Sequence, residues 1–296
     1  MEMEDFRSGK KSLELACYIA GAGAFGVFLR WLQLQLAFNE LGLPDPSAFH
    51  IGLILYVVAA ALVFLFFIKR YENQHLYLPD EFPAAFSNTG RLYLAARIVA
   101  GLLLCAGGTL LFMQVDTDRN SADYHLIAIL AVLSGICYLL WMTAVNRDPQ
   151  PNIWILCVLS FIPMLFLAAW MVICYKVNTI NSVIWSYGPE MVAVGASMFA
   201  FFRLGGYVFG RPKWKRTLFS CMLAAMLCIT CLADERYLGM QIIFIGLAAS
   251  LLYCCWVMVK NLQKGEAPKR TKKSTGGFES LTCSRRRRGL PCRGSF

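Results

Sequence analysis

Eight long apolar segments constrain the fold of this chain more than any other feature. Each has 17 to 26 residues, close to the roughly 20 residues that a helix needs to cross a membrane. Their apolar runs are continuous, whereas strands of membrane barrels alternate apolar and polar residues. We therefore predict an all-α fold, a polytopic integral membrane bundle of eight transmembrane helices over residues 1–260. The segments are residues 13–38, 49–68, 92–115, 126–145, 153–175, 189–209, 217–233 and 240–259.

The composition of the chain excludes an ordinary soluble protein. It is 58% hydrophobic and 16% charged, against about 25% charged residues in soluble domains. The longest connection between spans, residues 69–91, has 23 residues and cannot fold as a domain of its own. We expect an interfacial elbow there. A GxxxxGK[ST] phosphate-binding loop does not occur in the sequence.

Lys and Arg residues are distributed unequally between the two sides of such a bundle. With the N-terminus in the cytoplasm, 23 of the 28 Lys and Arg residues lie on the cytoplasmic side and three in the outer loops. Cytoplasmic loops carry this excess in membrane proteins. We predict that both termini are cytoplasmic and that the protein resides in a plasma membrane. The lack of an N-x-[ST] sequon favours a bacterial inner membrane.

The net charge of +10 comes from the end of the chain. Residues 260–296 contain eleven Lys and Arg residues and two Glu residues, so the rest of the chain is nearly neutral. The charge therefore gives no reason to expect a nucleic-acid partner. We predict that residues 261–296 form a basic, disordered cytoplasmic tail that binds anionic lipids of the bilayer.

Four charged residues lie inside the predicted spans, besides Arg203 near the cytoplasmic end of the sixth, and a charge there is costly and marks a candidate functional site. Glu14 and Arg97 lie near the cytoplasmic ends of the first and third spans, and Arg30 and Glu190 lie near the outer ends of the first and sixth. Each set combines opposite charges at one depth, so each is a candidate ion pair or ligand site. The alternative is that each side chain extends to the interface by itself.

The dipeptide Gly188-Pro189 precedes Glu190 and predicts one of two structures. Proline suits the first position of a helix, which indicates an ordinary start of the sixth span. Broken helices also line polar cavities in transporters, which indicates a discontinuous segment. A direct pair of Arg30 and Glu190 would hold the first and sixth spans together beside this dipeptide.

Cysteine and histidine residues provide two further candidate sites. Cys228 and Cys231 have the C-x-x-C spacing of a redox pair, although both also suit a helix interface as small apolar residues. His50 and His125 lie at the outer ends of the second and fourth spans. Two imidazoles at one depth could ligate a haem or a metal ion, and the alternative is two interfacial histidines. We expect no cofactor.

These observations lead to three functional hypotheses. The first is a transporter or permease for a small solute, which is not an enzyme. The short loops also suit a membrane-anchor or assembly subunit that binds a partner subunit of a larger complex. The third is an intramembrane redox enzyme that uses the cysteine pair or the histidine pair. A polar cavity in the membrane would favour the first hypothesis over the other two.

Overall fold

The computed structural model describes residues 2–36, 48–88, 90–115, 121–147, 152–179 and 183–264. These residues form nine α-helices, of which eight are long and apolar enough to cross a membrane. The predicted all-α bundle is confirmed, and the chain is a multi-pass membrane protein. Residues 265–296 of the predicted tail lie outside the described part. The helices are α1 (Glu2–Leu36), α2 (Ala48–Asn73), α3 (Phe82–Phe86), α4 (Arg91–Gln114), α5 (Ser121–Arg147), α6 (Ile153–Asn178), α7 (Ile184–Val208), α8 (Trp214–Thr230) and α9 (Leu238–Lys260).

Several helices extend beyond the apolar segments that predict them. α5 begins at Ser121, five residues before its apolar segment, and α7 begins at Ile184 instead of Pro189. Intrahelical hydrogen bonds continue to satisfy the backbone through the polar interface, so a helix does not end where hydrophobicity ends. Pro189 lies inside α7, and the sequence interpretation of Gly188-Pro189 as the start of the span or a break in it is therefore wrong.

The last two spans form the centre of the bundle. Within the membrane-spanning windows, 72% of the α9 residues and 67% of the α8 residues are buried, against 22% in α2. α9 packs most extensively on α4, and α8 packs on α1, α7 and α9. α2 lies at the edge, against α1 and α8. Glycine permits the closest of these approaches, because a Cβ added at Gly239 of α9 would overlap the backbone of Leu111 in α4.

The connection between α2 and α4 packs its short helix α3 against α5 and α9, and its position relative to the membrane interface stays a prediction. Its strand β1 (Leu76–Tyr77) pairs antiparallel with β2 (Gln263–Lys264) after α9. The ring of Phe82 stacks on Trp141, and the ring of Phe86 meets Tyr207 edge-on, both with centroids 5.3 Å apart. These four residues are buried, and we call them the aromatic plug. The plug lies near the end of the bundle at which α1 starts and α9 ends, here called the terminal end; the other end is the distal end.

Candidate charged cleft at the distal end

Four charged side chains form a continuous series of ion pairs inside the distal end. Nε of Arg30 donates to Oδ1 of Asp234 at 2.8 Å, and Nη2 of Arg236 donates to Oδ2 of the same carboxylate at 2.9 Å. Nη1 of Arg236 also pairs with Oε2 of Glu190. Each side chain is at least nine-tenths buried. We call these residues the charge chain, in the order Arg30, Asp234, Arg236 and Glu190.

The two ends of the charge chain are fixed by further hydrogen bonds. Nη1 of Arg30 donates to Oε1 of Gln33, and Nη2 donates to the main-chain oxygen of Trp185, both at 2.8 Å. Glu190 accepts a hydrogen bond from Nε1 of Trp170 at 2.7 Å. All three nitrogens of the Arg30 guanidinium therefore have a partner, which is the condition under which a buried charge is tolerated.

Close packing of two helices brings Arg30 to Asp234. A Cβ added at Gly26 of α1 would overlap the hydroxyl of Thr230 in α8, so the two helices touch at this level. Arg30 follows Gly26 by four residues, about one helical turn, and Asp234 follows Thr230 by four residues at the end of a 3₁₀ turn. The contact between the helices therefore places both side chains at the same depth.

Burial and charge act against each other in this site. The pKa of Asp234 lies above its usual value because burial disfavours the carboxylate more than Arg30 favours it. Burial lowers the pKa of Arg236 to about 10, so its guanidinium keeps its proton near neutral pH. The charge chain contains two cations and two anions, and its net charge is zero when all four groups are ionised.

A cleft of about 970 Å³ lies at the distal end, and three members of the charge chain line it. The walls come from the ends of α1, α5, α6 and α7, the start of α9 and the segment 234–237. Glu235 is exposed to solvent there. Aromatic rings form much of the wall, and the remaining surface is aliphatic or polar. The aromatic residues are Trp31, Tyr124, Trp170, Tyr187 and Tyr237.

One buried donor in the cleft has no partner among the described residues. This donor is Nε of Arg236, whose two other guanidinium nitrogens bind Glu190 and Asp234. Nε2 of Gln33, beside Arg30, is also without a partner in the described part of the chain. An unpaired buried donor is unfavourable, and such groups are rare in folded proteins. Arg236 lines the cleft, so this unfilled hydrogen bond lies at the cleft wall.

The structure corrects the predicted pair of Arg30 and Glu190. Both residues are buried near the distal end, but Asp234 and Arg236 stand between them, so the predicted direct pair is wrong. The two bridging residues were not predicted because they follow the seventh apolar segment in a loop. One signal could have identified them. Arg236 is the single basic residue of that loop, and two acidic residues precede it directly.

The other predicted combination of charges is not brought together. Glu14 is exposed on α1, whereas Arg97 is buried and donates from Nη1 to the main-chain oxygen of Met142 at 2.8 Å. No ion pair joins them in the part of the chain that the structure describes. Equal depth in the membrane does not place two residues on facing helices, which explains the difference.

The C-x-x-C cysteines are buried free thiols that contact α7. Sγ of Cys228 lies 3.1 Å from Oγ of Ser197, and Sγ of Cys231 donates to the main-chain oxygen of Pro189 at 3.4 Å. Both contacts pack α8 and its 3₁₀ turn against α7. A redox role of this pair stays a prediction.

The two candidate histidine ligands contact different neighbours. The ring of His50 meets Trp185 edge-on at 4.5 Å, and Nδ1 of His125 lies 2.6 Å from the main-chain oxygen of Ser121. The described residues contain no group of three or more His, Cys, Asp or Glu side chains that could hold a metal ion. Ligation of a haem or metal by these two residues stays a prediction.

No protein-family model, curated protein or solved structure matches the chain. The functional assignment therefore depends on the geometry and chemistry of the distal cleft. The cleft combines an aromatic wall, buried ion pairs and an unpaired donor, and these three features define what it could bind.

Proposed function

We propose that this protein is a permease-type transporter that binds a small solute in the distal cleft. The observation that carries the proposal is the position of the charge chain along a cleft of about 970 Å³. Ligand sites are concave, mostly apolar and equipped with a few fixed polar groups. Ionisable groups within a membrane bundle are costly and are typically functional.

The packing of the opposite end supports transport over simple binding. The aromatic plug packs tightly near the terminal end, whereas the polar cleft lies at the distal end. A carrier that alternates its access must have states in which one end is open and the other closed. On the predicted topology, this arrangement is the state that receives solute from outside the cell.

The ion pairs of the charge chain also suit a carrier. They join α1, α7 and the segment 234–237, which all contribute to the cleft wall. A solute that binds one of these charged groups competes with its ion-pair partner and so weakens a contact that holds the helices together. Ligand binding and helix movement would then be coupled, as a transport cycle requires.

Labelling from each side of the membrane tests whether the cleft changes sides. Ile127 lines the cleft, and Lys213 is exposed at the terminal end. Vesicles of both orientations would carry Ile127→Cys or Lys213→Cys, and a membrane-impermeant maleimide would be added outside. Peptide mass spectrometry separates the introduced site from the native thiols.

We expect Ile127→Cys to be modified from the distal side and, more slowly, from the terminal side. The control variant Lys213→Cys should be modified from the terminal side only. If Ile127→Cys reacts from the distal side alone, the cleft is fixed and the protein is not a transporter. A fixed cleft is the result that a membrane-anchor subunit would give.

A further inference from the structure

We propose that the distal cleft binds small organic acids with an apolar body, whose carboxylate is held by Arg236, and that one proton enters the charge chain with each anion. This inference rests on the proposed function, because it assigns the solute class and the coupled ion of the same cleft.

The free edge of the Arg236 guanidinium identifies the anionic group. Nε–H and Nη2–H of a guanidinium point in the same direction, and a carboxylate can accept both with its two oxygens. In Arg236, Nη2 donates to Oδ2 of Asp234 at 2.9 Å, whereas Nε is buried without a partner among the described residues. Asp234 does not complete the fork in this structure, because its other oxygen faces Arg30 at 2.8 Å and Nε of Arg236 makes no bond to it. A ligand carboxylate would complete it.

The charge balance of the site identifies the proton. Two arginines and two carboxylates give the charge chain no net charge, so an added anion leaves one uncompensated negative charge in a buried site. Such a charge is strongly disfavoured. Protonation of one carboxylate restores neutrality. Glu235 is exposed, and water screens its effect on the anion.

Asp234 is the group best placed to accept this proton. It shares the Nη2 side of Arg236 with the position of the ligand carboxylate. Its pKa is already raised by burial. A protonated Asp234 would still accept a hydrogen bond from Arg30 while it releases Arg236 to the ligand. The ionisable groups around it are Arg30 of α1, His50 of α2, Tyr124 of α5, Cys174 of α6, Glu190 of α7, and Cys231, Glu235, Arg236 and Tyr237 of its own segment.

The wall of the cleft indicates an apolar body for the solute. The rings of Trp31, Tyr187 and Tyr237 line the same cleft as Arg236. Aromatic rings bury large apolar area and would contact a ring or a short chain. A bare inorganic anion would leave these walls unused, and an ammonium group would leave Nε of Arg236 without an acceptor.

Three probes of nearly equal size and different charge test this assignment. Benzoate, benzamide and benzylamine would be titrated against the full-length protein in nanodiscs, with saturation-transfer NMR as the readout. We expect benzoate to bind about tenfold or more tightly than the other two, because a charge-assisted fork is stronger than a neutral bond. Its affinity should rise as the pH falls, by up to about tenfold per unit, with uptake of about one proton.

Variants separate the proposed roles of the two residues from a merely structural effect. Arg236→Lys keeps the charge but lacks the fork, and we expect a loss of about tenfold in benzoate affinity. Asp234→Asn resembles the protonated carboxyl, so benzoate should still bind but without dependence on pH. The control Lys176→Gln removes an exposed cation of the distal end that pairs with Asp123, and it should leave benzoate binding unchanged.

Three results would overturn the inference. Preferential binding of benzylamine would show that the cleft takes cations, and a lack of binding by all three probes would exclude the assigned solute class. Benzoate binding that does not depend on pH in the unmodified protein would exclude the coupled proton. In each case, labelling of Ile127→Cys from both sides would still support a transporter. The proposed transport function and the proposed solute class can therefore fail separately. If Arg236→Lys does not fold, the pH dependence of the unmodified protein and of Asp234→Asn decides the question.

Discussion

Arg30 binds the main-chain oxygen of Trp185, the acceptor that Pro189 leaves without its usual helical partner. In a regular helix the amide of residue 189 would donate to residue 185, but proline has no amide hydrogen. Nη2 of Arg30 donates to this oxygen instead, at 2.8 Å. The carbonyl that Pro189 leaves free in α7 thus binds Arg30 of α1, and the same guanidinium also binds Asp234.

Arg30→Lys should destabilise the protein although the charge is kept. An ammonium is a compact donor and cannot reach Asp234, Gln33 and the Trp185 oxygen with the geometry of a guanidinium. We expect a loss of about 2–4 kcal/mol, the cost of one or two charge-assisted hydrogen bonds in a buried site. Thermal unfolding in detergent measures it. The control Arg91→Lys changes an exposed arginine and should melt like the unmodified protein; equal melting of the Arg30 variant would contradict the prediction.

Double-mutant cycles should distinguish the observed ion pairs from the one that the sequence suggested. Arg30 and Asp234 are in contact, so Arg30→Met and Asp234→Asn should couple by about 1–3 kcal/mol. Arg30 and Glu190 have two residues between them, so Arg30→Met and Glu190→Gln should couple by less than about half of that value. The exchange Arg30→Glu with Glu190→Arg should not restore stability. Stronger coupling to Glu190 than to Asp234 would show that the direct pair exists after all.

Gly26→Leu should separate α1 from α8 and displace Arg30. The added side chain would overlap Thr230, and an overpacked contact costs about 1–3 kcal/mol. Gly21 provides a matched control one to two turns earlier on the same helix, because a Cβ added there meets no atom within 4 Å. We expect Gly26→Leu to lower the melting temperature and Gly21→Leu to leave it nearly unchanged. An equal effect of both would mean that the helix contact does not position the charge chain.

Hydropathy predicted the eight spans because each needs only a local property, an apolar run long enough for the bilayer. It did not predict how the spans pack, and the candidate site depends on packing. Arg30 and Glu190 were found because a charge within an apolar run is visible in the sequence. Asp234 and Arg236 were missed because a charge in a loop is ordinary until the fold buries it.

Glu14 and Arg97 also show that the sequence does not predict how the spans pack, because the two were predicted as a candidate pair and do not meet. Both interrupt apolar runs and both have the expected depth, yet α1 and α4 do not present them to each other. Pro189 was misinterpreted for a related reason. Its missing amide was expected to break the helix, but Arg30, which precedes Trp185 by 155 residues in the chain, satisfies the freed carbonyl of Trp185. Contacts of this kind depend on tertiary structure and leave no local pattern.

The raised pKa of Asp234 predicts how stability depends on pH. Because the folded-state pKa exceeds the usual value of 3.8, the folded protein takes up a proton at a pH where the unfolded chain is still ionised. The resulting stabilisation is fully present below the unfolded pKa and is lost as the pH rises through the folded pKa.

Unfolding free energies of the unmodified protein and of Asp234→Asn would be measured from about pH 4 to pH 8 in detergent. We subtract the unfolding free energy of Asp234→Asn from that of the unmodified protein. This difference should fall as the pH rises, by at most about 1.4 kcal/mol per pH unit. Parallel curves would show that folding does not shift the pKa of Asp234, and a difference that grows with pH would show that the fold stabilises its carboxylate. Either result would contradict the prediction, and the proton would then have to reside elsewhere in the charge chain.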